Sequence, residues 1–193
     1  VSGASGLGGG KGARMEISVR PLGSEYRGKK LTFRYETEGF YDTALQKTPE
    51  GWTLSFRLKP FSAPVEKCFE DRLLSGWLEE PSLFGAFVDG TLASYVETSH
   101  ERWNNRLRIS NILVEAPFRG MGVGRALFEQ AENRAREVKA RAVVLETQSC
   151  NVPAIRFYEK MGMRVIGCDL LAYSNQDISR EEVRLEMGKP LTV

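Results

Sequence analysis

"FRGMGVGRALFEQ" (residues 118–130) is the most informative stretch of the sequence, because in it a glycine-rich turn leads straight into an amphipathic helix. Gly120, Gly122 and Gly124 occupy alternate positions, and an arginine stands on each side of them. The N-terminus of a helix presents unpaired N–H groups and a partial positive charge, and both suit an anion such as a phosphate. Glycine allows close approach of the backbone and positive φ. The segment therefore predicts a pyrophosphate cradle, and the alternative is a turn that only joins a strand to a helix.

The spacing of these glycines differs from that of two common phosphate-binding loops. The segment does not contain the G-x-x-x-x-G-K-[ST] pattern of P-loop proteins. It has G-x-G-x-G rather than the G-x-G-x-x-G of dinucleotide-binding folds, and it comes after at least four predicted strands. A P-loop is therefore excluded here, and a dinucleotide-binding fold is disfavoured.

The elements around this helix are predicted from periodicity and from turn residues. Alternating apolar residues predict strands, and an apolar repeat of three to four predicts helices. Asp89-Gly90 between two apolar runs is a strong hairpin signal. Asn151 as N-cap, Pro153 in the first turn and Gly162 as C-cap delimit the last helix. The predicted strands are residues 15–21, 40–47, 52–58, 83–88, 91–98, 106–114, 142–148, 163–174 and 182–189, and the predicted helices are residues 63–78, 123–139 and 151–162.

The order of these elements predicts the fold class. Antiparallel strands come first, and a strand–helix–strand–helix–strand series follows. This order indicates an α/β protein with a mixed α+β sheet, mostly antiparallel and flanked by helices. We expect one domain over residues 15–193, with an N-terminal extension at 15–62 and a core at 63–193. Residues 1–14 contain six glycines, and we interpret them as an expression remnant or, alternatively, as a natural flexible tail.

Composition and charge exclude several classes of protein. The 193-residue chain is 41% hydrophobic, as globular proteins are, and has no run of 18 apolar residues that could span a membrane. Its formal charge of +2 falls to about zero without Lys11 and Arg14, so its charge does not predict nucleic-acid binding. An odd number of cysteines without a secretory signal predicts reduced thiols in the cytoplasm. We expect no membrane partner and leave the oligomeric state open between a monomer and a homodimer.

Cysteine and histidine are too few and too scattered to predict a metal site. Cys68, Cys150 and Cys168 do not have metal-ligand spacing, and His100 is the only histidine. We therefore expect no metal. A Ser-His-Asp triad through His100 is disfavoured but stays open.

Two motifs in the second half of the chain resemble those of the GNAT superfamily of N-acetyltransferases. Arg119, Gly122 and Gly124 match [QR]-x-x-G-x-[GA], the loop that binds the pyrophosphate of acyl-CoA in that family. "NVPAIRFYEKMGMRVIG" (residues 151–167) is similar to N-x-x-A-x-x-F-Y-x-x-x-G-F, with Met163 where phenylalanine is usual. Two ordered motifs, separated by one helix and one strand, are more specific than either alone. The resemblance extends from about residue 83 to residue 188.

A narrower resemblance is to the streptothricin acetyltransferases. It is carried by "LETQSCNVPAIRFYEKMGMRVIGCDLLAYSN" (residues 145–175), with Glu146 and Gln148 among the matching positions. Those enzymes tend to carry acidic residues on the central strand, near the place where this chain has Ser110 and Asn111. The general base and the acceptor are therefore the least determined parts of the expected site.

The resemblance implies acetyl-CoA as the cosubstrate and assigns its binding to three segments. Ile112, Leu113 and Val114, on the strand at residues 106–114, would bind the pantetheine arm through backbone groups, as an added strand would. A backbone N–H of that strand would stabilise the oxyanion. Asn151 would bond the cofactor, cap its helix, or do both. The loop residues that would hold the pyrophosphate are Arg119, Gly120, Met121, Gly122, Val123, Gly124 and Arg125.

Acetyl transfer to an amine also needs an acid and a base. The resemblance makes Tyr158 the general acid that protonates the departing thiolate and a further cofactor contact, and the alternative is a buried aromatic beside Phe157. Glu146 follows an apolar run, so partial burial would raise its pKa and suit it as the base. A paired structural carboxylate is the alternative for Glu146. Glu97, His100 and a water chain to solvent are further options for the base.

We therefore expect an acetyl-CoA-dependent N-acetyltransferase that acts on the primary amine of a small cationic molecule. A streptothricin-like or aminoglycoside-like antibiotic is the expected acceptor, which implies a role in antibiotic resistance. A protein lysine or N-terminus is the alternative acceptor. A non-catalytic domain that senses acyl-CoA is the alternative of another class. The acidic and aromatic stretch at residues 35–42 is either a wall of the amine pocket or a solvated strand face.

Overall fold

The computed structural model describes residues 15–192, so the predicted remnant or tail at residues 1–14 lies outside the described residues. The described chain contains nine strands and two α-helices. In chain order they are β1 (Ile17–Leu22), β2 (Lys30–Thr48), β3 (Gly51–Arg72), β4 (Pro81–Val88), β5 (Thr91–Glu101), β6 (Arg106–Val114), α1 (Val123–Glu137), β7 (Ala142–Gln148), α2 (Val152–Lys160), β8 (Arg164–Asp169) and β9 (Arg184–Pro190).

Seven of the strands form one sheet, in the order β1-β4-β5-β6-β7-β9-β8. All neighbours in this sheet are antiparallel except β6 and β7, which are parallel. A parallel pair needs a crossover connection, and α1 provides it. The predicted class, a mostly antiparallel sheet flanked by helices, is confirmed.

β2 and β3 form a separate two-stranded sheet, which is a long hairpin. The pairing runs from Lys30 opposite Arg72 to Thr48 opposite Gly51. The turn of the hairpin predicted at residues 40–58 is therefore confirmed, and the two strands continue well beyond the predicted ends.

The helix predicted at residues 63–78 is wrong, because residues 63–72 belong to β3. Val65 and Phe69 are four positions apart, which places them on one face of a helix but equally on one face of a strand. In the structure they pair with Thr37 and Phe33 of β2, and the rings of Phe33 and Phe69 stack with centroids 4.7 Å apart. Long-range strand pairing therefore overrode the local pattern. The internal boundary predicted between residues 62 and 63 falls within β3, and the single domain stays a prediction.

α1 supplies much of the main hydrophobic core and contacts β1, β4, β5, β6 and β7. Val123, Leu127 and Ala131 are wholly buried on its inner face, as the predicted apolar stripe required. A smaller core joins Leu31 and Leu73 of the hairpin region to the opposite surface of the sheet. Within residues 15–192, neither helix has the length and apolar character that crossing a membrane requires.

Candidate active site

The glycine loop ends where α1 begins, and it leaves backbone N–H groups without partners in the helix. Gly120 and Gly122 have φ of 78° and 87°, in the left-handed region that favours glycine. Gly122 is the N-cap of α1, and no side chain caps the helix there. The Ala126 N–H donates to the Gly122 carbonyl, so the N–H groups of residues 123–125 precede the first bond of the helix. The start of α1 therefore offers several donors to an anion.

Gly124 differs from the other two glycines because it stands against packed side chains. A Cβ on Gly124 would lie 3.4 Å from Phe157 Cζ and 3.5 Å from Val114 Cγ2. A Cβ on Gly120 or Gly122 would meet nothing within 4 Å. A Cβ on Gly124 would therefore make ordinary van der Waals contacts with α2 and β6, whereas the other two glycines supply the backbone conformation of the turn.

Two arginines flank the loop and differ in what they contact. Arg119 Nε donates to the carbonyl of Val114 at 3.0 Å, and its Nη2 donates to the carbonyl of Arg34 at 3.0 Å. Arg119 therefore ties the loop both to β6 and to the hairpin. The side chain of Arg125 is mostly exposed, with Glu129 Oε1 4.0 Å away. Its charge is available at the surface of the loop.

β6 and β7 separate partway along their length. They pair in parallel only over residues 106–109 and 142–145. At the same place β6 carries one extra residue, Ser110, between the positions of Ile109 and Asn111 that pair with β5. We call the point where the two strands separate the fork. Beyond the fork, residues 110–114 of β6 do not pair with β7, so the backbone groups on that side of β6 are not used in the sheet.

A cavity of about 640 Å³, the loop cavity, lies between the glycine loop, β6, α2 and the hairpin. Four basic side chains line it, and none of the described residues in its lining is acidic. The basic residues are Arg34, Arg119, Arg125 and Lys160. The loop cavity therefore combines positive charge with the open start of a helix, which is the environment a pyrophosphate requires.

A second cavity of about 380 Å³, the acidic cavity, lies at the fork between β3, β6 and β7. Its lining includes the carboxylates of Glu70, Asp71 and Glu146, together with the phenol ring of Tyr173. None of the described residues that line it is basic. Glu70 pairs with Lys30 at 2.6 Å, whereas the Asp71 carboxylate accepts only the Arg72 N–H in the described structure. The acidic cavity therefore suits a cation.

The two cavities share one wall. Residues that line both are Phe33, Phe69, Ile112, Asn151, Ala154 and Tyr158. Tyr158 is only 8% exposed, and burial raises the pKa of its phenol above the usual range. Asn151 Oδ1 accepts the Ala154 N–H at 3.3 Å and so caps α2 as predicted. The Nδ2 group of Asn151 takes no part in this cap. A phenol that keeps its proton therefore stands between a basic and an acidic cavity.

Comparison with known proteins identifies this arrangement. A model of the acetyltransferase (GNAT) family matches residues 51–163, which is more than half of the chain. The chain belongs to the GNAT acetyltransferase family. The GNAT resemblance expected from the two motifs is thereby confirmed.

Individual relatives narrow the likeness within the GNAT family. The streptothricin acetyltransferase of Streptomyces lavendulae is 39% identical over 53% of this chain and 54% of its own length. The streptothricin acetyltransferase of Escherichia coli is 36% identical over 51% of this chain and 56% of its own. The chain therefore spans about half the length of these curated relatives.

Solved structures cover more of the chain. The crystal structure of a nourseothricin acetyltransferase matches with a TM-score of 0.71 at 31% identity, over 91% of this chain and 99% of that one. A protein from Bacillus anthracis, solved in complex with acetyl coenzyme A, matches with a TM-score of 0.67 over 91% of this chain and 100% of its own. Its 22% identity supports the fold alone.

Most residues that the GNAT motifs predicted for cofactor binding line the loop cavity. They are Ile112, Leu113, Val114, Arg119, Gly120, Gly122, Gly124, Arg125, Asn151 and Tyr158. Two predicted residues do not. Met121 is 45% exposed and is not part of the cavity lining, and the side chain of Val123 is buried in the main core. Only the backbone of these two residues is placed to contribute to the loop.

Glu146, the predicted base, lines the acidic cavity and is already paired. Its carboxylate lies 2.5 Å from Arg184 Nη2, and its side chain is 39% exposed. Burial raises the pKa of Glu146, while the charge of Arg184 acts in the opposite direction. The predicted direction of the pKa is confirmed, and the paired carboxylate that was the alternative is also present.

The other options for the base lie outside both cavity linings. His100 Nε2 is 3.1 Å from Asn105 Oδ1, and its Nδ1 is 3.5 Å from Glu80, so it contacts neither cavity. Glu97 is wholly buried and is hydrogen-bonded to Asn111. Burial raises the pKa of Glu97, whereas the hydrogen bonds that its carboxylate accepts lower it. The triad through His100 therefore has no counterpart among the described residues.

The hairpin contributes residues that sequence analysis missed. Phe33 and Phe69 line both cavities, and Asp71 lines the acidic one, yet residue 69 and residue 71 fell in the predicted helix. Only the strand pairing of β2 with β3 would have brought them together. In the stretch at residues 35–42, Tyr35 lines the loop cavity, and its hydroxyl donates to Gln148 Oε1 at 2.7 Å. The acids of that stretch do not line the acidic cavity.

Proposed function

We propose that this chain transfers an acetyl group from acetyl-CoA to the primary amine of a small cationic molecule. The observation that carries the proposal is the meeting of a basic and an acidic cavity at Tyr158 and the fork. An anionic cofactor and a cationic acceptor would each find the opposite charge, and their reacting groups would meet at the shared wall. Membership of the GNAT family supports the same reaction.

The loop cavity fits acetyl-CoA, which would supply the activated acetyl group as a thioester. The N–H groups at the start of α1 would donate to the pyrophosphate, with Arg125 adding charge. The β6 backbone at residues 112–114 would bond the pantetheine arm in the manner of an added strand. Asn151 lines the same cavity, and its Nδ2 takes no part in the cap of α2, so it would be a further donor to the cofactor.

Tyr158 is the proposed general acid. A buried phenol with a raised pKa keeps its proton at neutral pH, so it can donate to the sulfur as the C–S bond breaks. A backbone N–H of β6 beyond the fork would donate to the oxyanion of the tetrahedral intermediate. Both donors are fixed before the substrates arrive, because one sits in α2 and the other in the sheet.

Glu146 is the proposed base. An alkyl ammonium has a pKa of about 10.4, so it must lose a proton before it can attack. Glu146 lines the cavity in which that amine would bind, and burial raises its pKa towards the working range. Arg184 holds the carboxylate in place and keeps its pKa from rising further.

A streptothricin-like antibiotic is the acceptor we propose to test first. Two curated relatives are streptothricin acetyltransferases, and the solved structure that matches at 31% identity is a nourseothricin acetyltransferase. Three carboxylates line the acidic cavity, and that of Asp71 has no ion-pair partner in the described structure, which suits a molecule that carries several amines. We also propose a cytoplasmic location, since all three cysteines are unpaired in the structure. The homodimer stays a prediction, which light scattering of the purified chain would test.

The experiment is a thiol-release assay with acetyl-CoA and a panel of amines. The panel contains streptothricin, an aminoglycoside, simple diamines, and peptides with a free N-terminus or lysine. We expect CoA release with at least one small polycation and none with the peptides. Turnover only on peptides would replace the proposed acceptor with a protein. Tight acetyl-CoA binding without turnover on any amine, and with no change in Tyr158→Phe, would favour a non-catalytic sensor.

A further inference from the structure

Glu97 is a buried carboxylate at the fork that the proposed mechanism does not use. It lies in β5 and is 0% exposed. Its Oε1 accepts the Leu74 N–H at 2.5 Å, and its Oε2 accepts Asn111 Nδ2–H at 2.9 Å. A buried carboxylate is tolerated only when it is hydrogen-bonded, and these two bonds supply that requirement. The second of them has a consequence for the acidic cavity.

Asn111 has one carbonyl oxygen and one NH₂ group, and its hydrogen bonds decide which of them faces the cavity. Because Nδ2 donates to Glu97, the orientation of the amide is set, and Oδ1 is the terminal atom left for a ligand. Asn111 lines the acidic cavity next to the bulge. A donor placed at the fork would therefore meet an oxygen rather than an NH₂ group.

Ser110 is a second polar residue of this cavity whose hydrogen-bonding capacity is unused. Its Oγ is buried and has no hydrogen-bond partner among the described residues. Ser110 is the bulge residue of β6 and lines the same cavity as Asn111. A buried hydroxyl without a partner is unfavourable, so a ligand that supplies the missing bond would be bound more tightly.

We propose that Asn111 Oδ1 and Ser110 Oγ accept the two N–H groups of the acceptor amine, and that Glu97 is a positioning residue that fixes the Asn111 amide for this purpose. The inference rests on the proposed acetyltransferase function. A neutral primary amine has two N–H groups and one lone pair. When two oxygens take the N–H groups, the lone pair is left for the thioester carbon. Glu97 lines neither cavity, so it acts on the amine only through Asn111.

The decisive variants exchange the polarity of one hydrogen bond. Glu97→Gln keeps an oxygen for the Leu74 N–H but places an NH₂ group against Asn111 Nδ2. The Asn111 amide must then turn, and its NH₂ group faces the cavity. We expect kcat/KM for the amine to fall about tenfold, the effect of one lost hydrogen bond, with the KM for acetyl-CoA unchanged.

The double variant, Glu97→Gln with Asn111→Asp, restores a donor from position 97 and an oxygen facing the cavity. We expect kcat/KM for the amine to return to within about threefold of the parent, a coupling that a double-mutant cycle measures directly. A single variant that folds and keeps the parent kcat/KM would overturn the inference, and so would a double variant no better than the single one. A purely structural role of Glu97 would instead change the melting temperature and both KM values together.

Ser110→Ala provides a test that does not depend on whether the variants at Glu97 fold. Removing a buried hydroxyl without a partner should leave the melting temperature unchanged or raise it, while kcat/KM for the amine falls. Ser94→Ala is the matched control, since Ser94 Oγ is also buried without a partner but lines neither cavity. Equal kinetics in the two serine variants would contradict the inference. Turnover by the parent chain tests the proposed function separately, and if it is absent both proposals fail.

Discussion

The loop cavity and the acidic cavity are built in different ways from the same chain. The loop cavity takes most of its lining from two continuous segments, residues 112–125 and 151–161. The acidic cavity shares α2 and its N-cap with the loop cavity and collects its other residues from β2, β3, β6, β7 and the segment before β9. Anion recognition is a local property of a helix start, whereas cation recognition here depends on how distant strands pair. One half of this site can therefore be predicted from a sequence motif, whereas the other half can be identified only once the strand pairing is known.

Charge separates the two cavities as clearly as their construction does. Basic side chains line one and carboxylates line the other, and Tyr158 stands in the wall between them. The stacked rings of Phe33 and Phe69 also belong to this shared wall, so its surface is partly apolar.

Removing the phenol from the shared wall should have the largest effect. We expect Tyr158→Phe to lower kcat by about 10²–10⁴-fold, the range for loss of a general acid, with little change in acetyl-CoA binding. Steady-state kinetics and calorimetry of acetyl-CoA binding measure the two quantities. Tyr95→Phe is the control, since Tyr95 is also buried but belongs to the smaller core. A kcat in Tyr158→Phe equal to that of the control would remove Tyr158 from the chemistry.

The loop cavity can be disabled alone at Gly122. A Cβ there enters the space next to the unpaired N–H groups of α1, so we expect Gly122→Ala to weaken acetyl-CoA binding on the order of 100-fold, as loss of two charge-assisted hydrogen bonds would. Gly90→Ala is the matched control. Gly90 has φ of 81° against 87° for Gly122, and a Cβ at either position meets nothing within 4 Å. The two variants therefore share a similar positive φ and open space for the added Cβ, and equal Kd values for acetyl-CoA would contradict the assignment of the loop.

The contrast between the cavities also explains which parts of the structure could be predicted from the sequence. The strands at 106–114 and 142–148 have the predicted bounds, and α1 begins at the predicted residue, because alternation and helical periodicity are local. The loop cavity follows from those elements. The second half of β3 was predicted as a helix because a spacing of four fits a helix and a strand alike, so Phe69 and Asp71 were missed with it. The pairing of Glu97 with Asn111 depends on a bulge, which has no signature in either strand alone.

The acidic cavity should respond to loss of a single unpaired charge. We expect Asp71→Asn to raise the KM for a polycationic amine about 5- to 10-fold, with the KM for acetyl-CoA unchanged, because one screened charge contact amounts to about 1 kcal/mol. Asparagine keeps an oxygen for the Arg72 N–H that Asp71 accepts. Asp89→Asn is the control, since Asp89 likewise accepts a backbone N–H but lies in the turn between β4 and β5. Identical KM values in the two variants would show that the carboxylates of this cavity do not select the acceptor.

The smallest expected effect concerns the pH dependence that Glu146 imposes. If the amine and Glu146 must both lose a proton, log kcat/KM rises with pH at a slope of about two below the Glu146 pKa and about one above it. Burial raises that pKa, and the charge of Arg184 lowers it. Arg184→Gln removes the lowering charge, so the pKa of Glu146 rises and the break in slope moves to higher pH, by about one unit or less.

Two further variants separate this effect from a general disturbance of the ion pairs. Arg106→Gln removes a partner of Glu101, at the far end of the same ionic chain through Arg108 and Glu186, and should leave the break where it is in the parent. Glu146→Gln should abolish the break, because the amide has no proton to lose in this range. A break that persists in Glu146→Gln would belong to another group, and proton removal would then pass to solvent water rather than to this carboxylate. Since Arg184 touches both Glu146 and Glu186, only the agreement of all three profiles assigns the base.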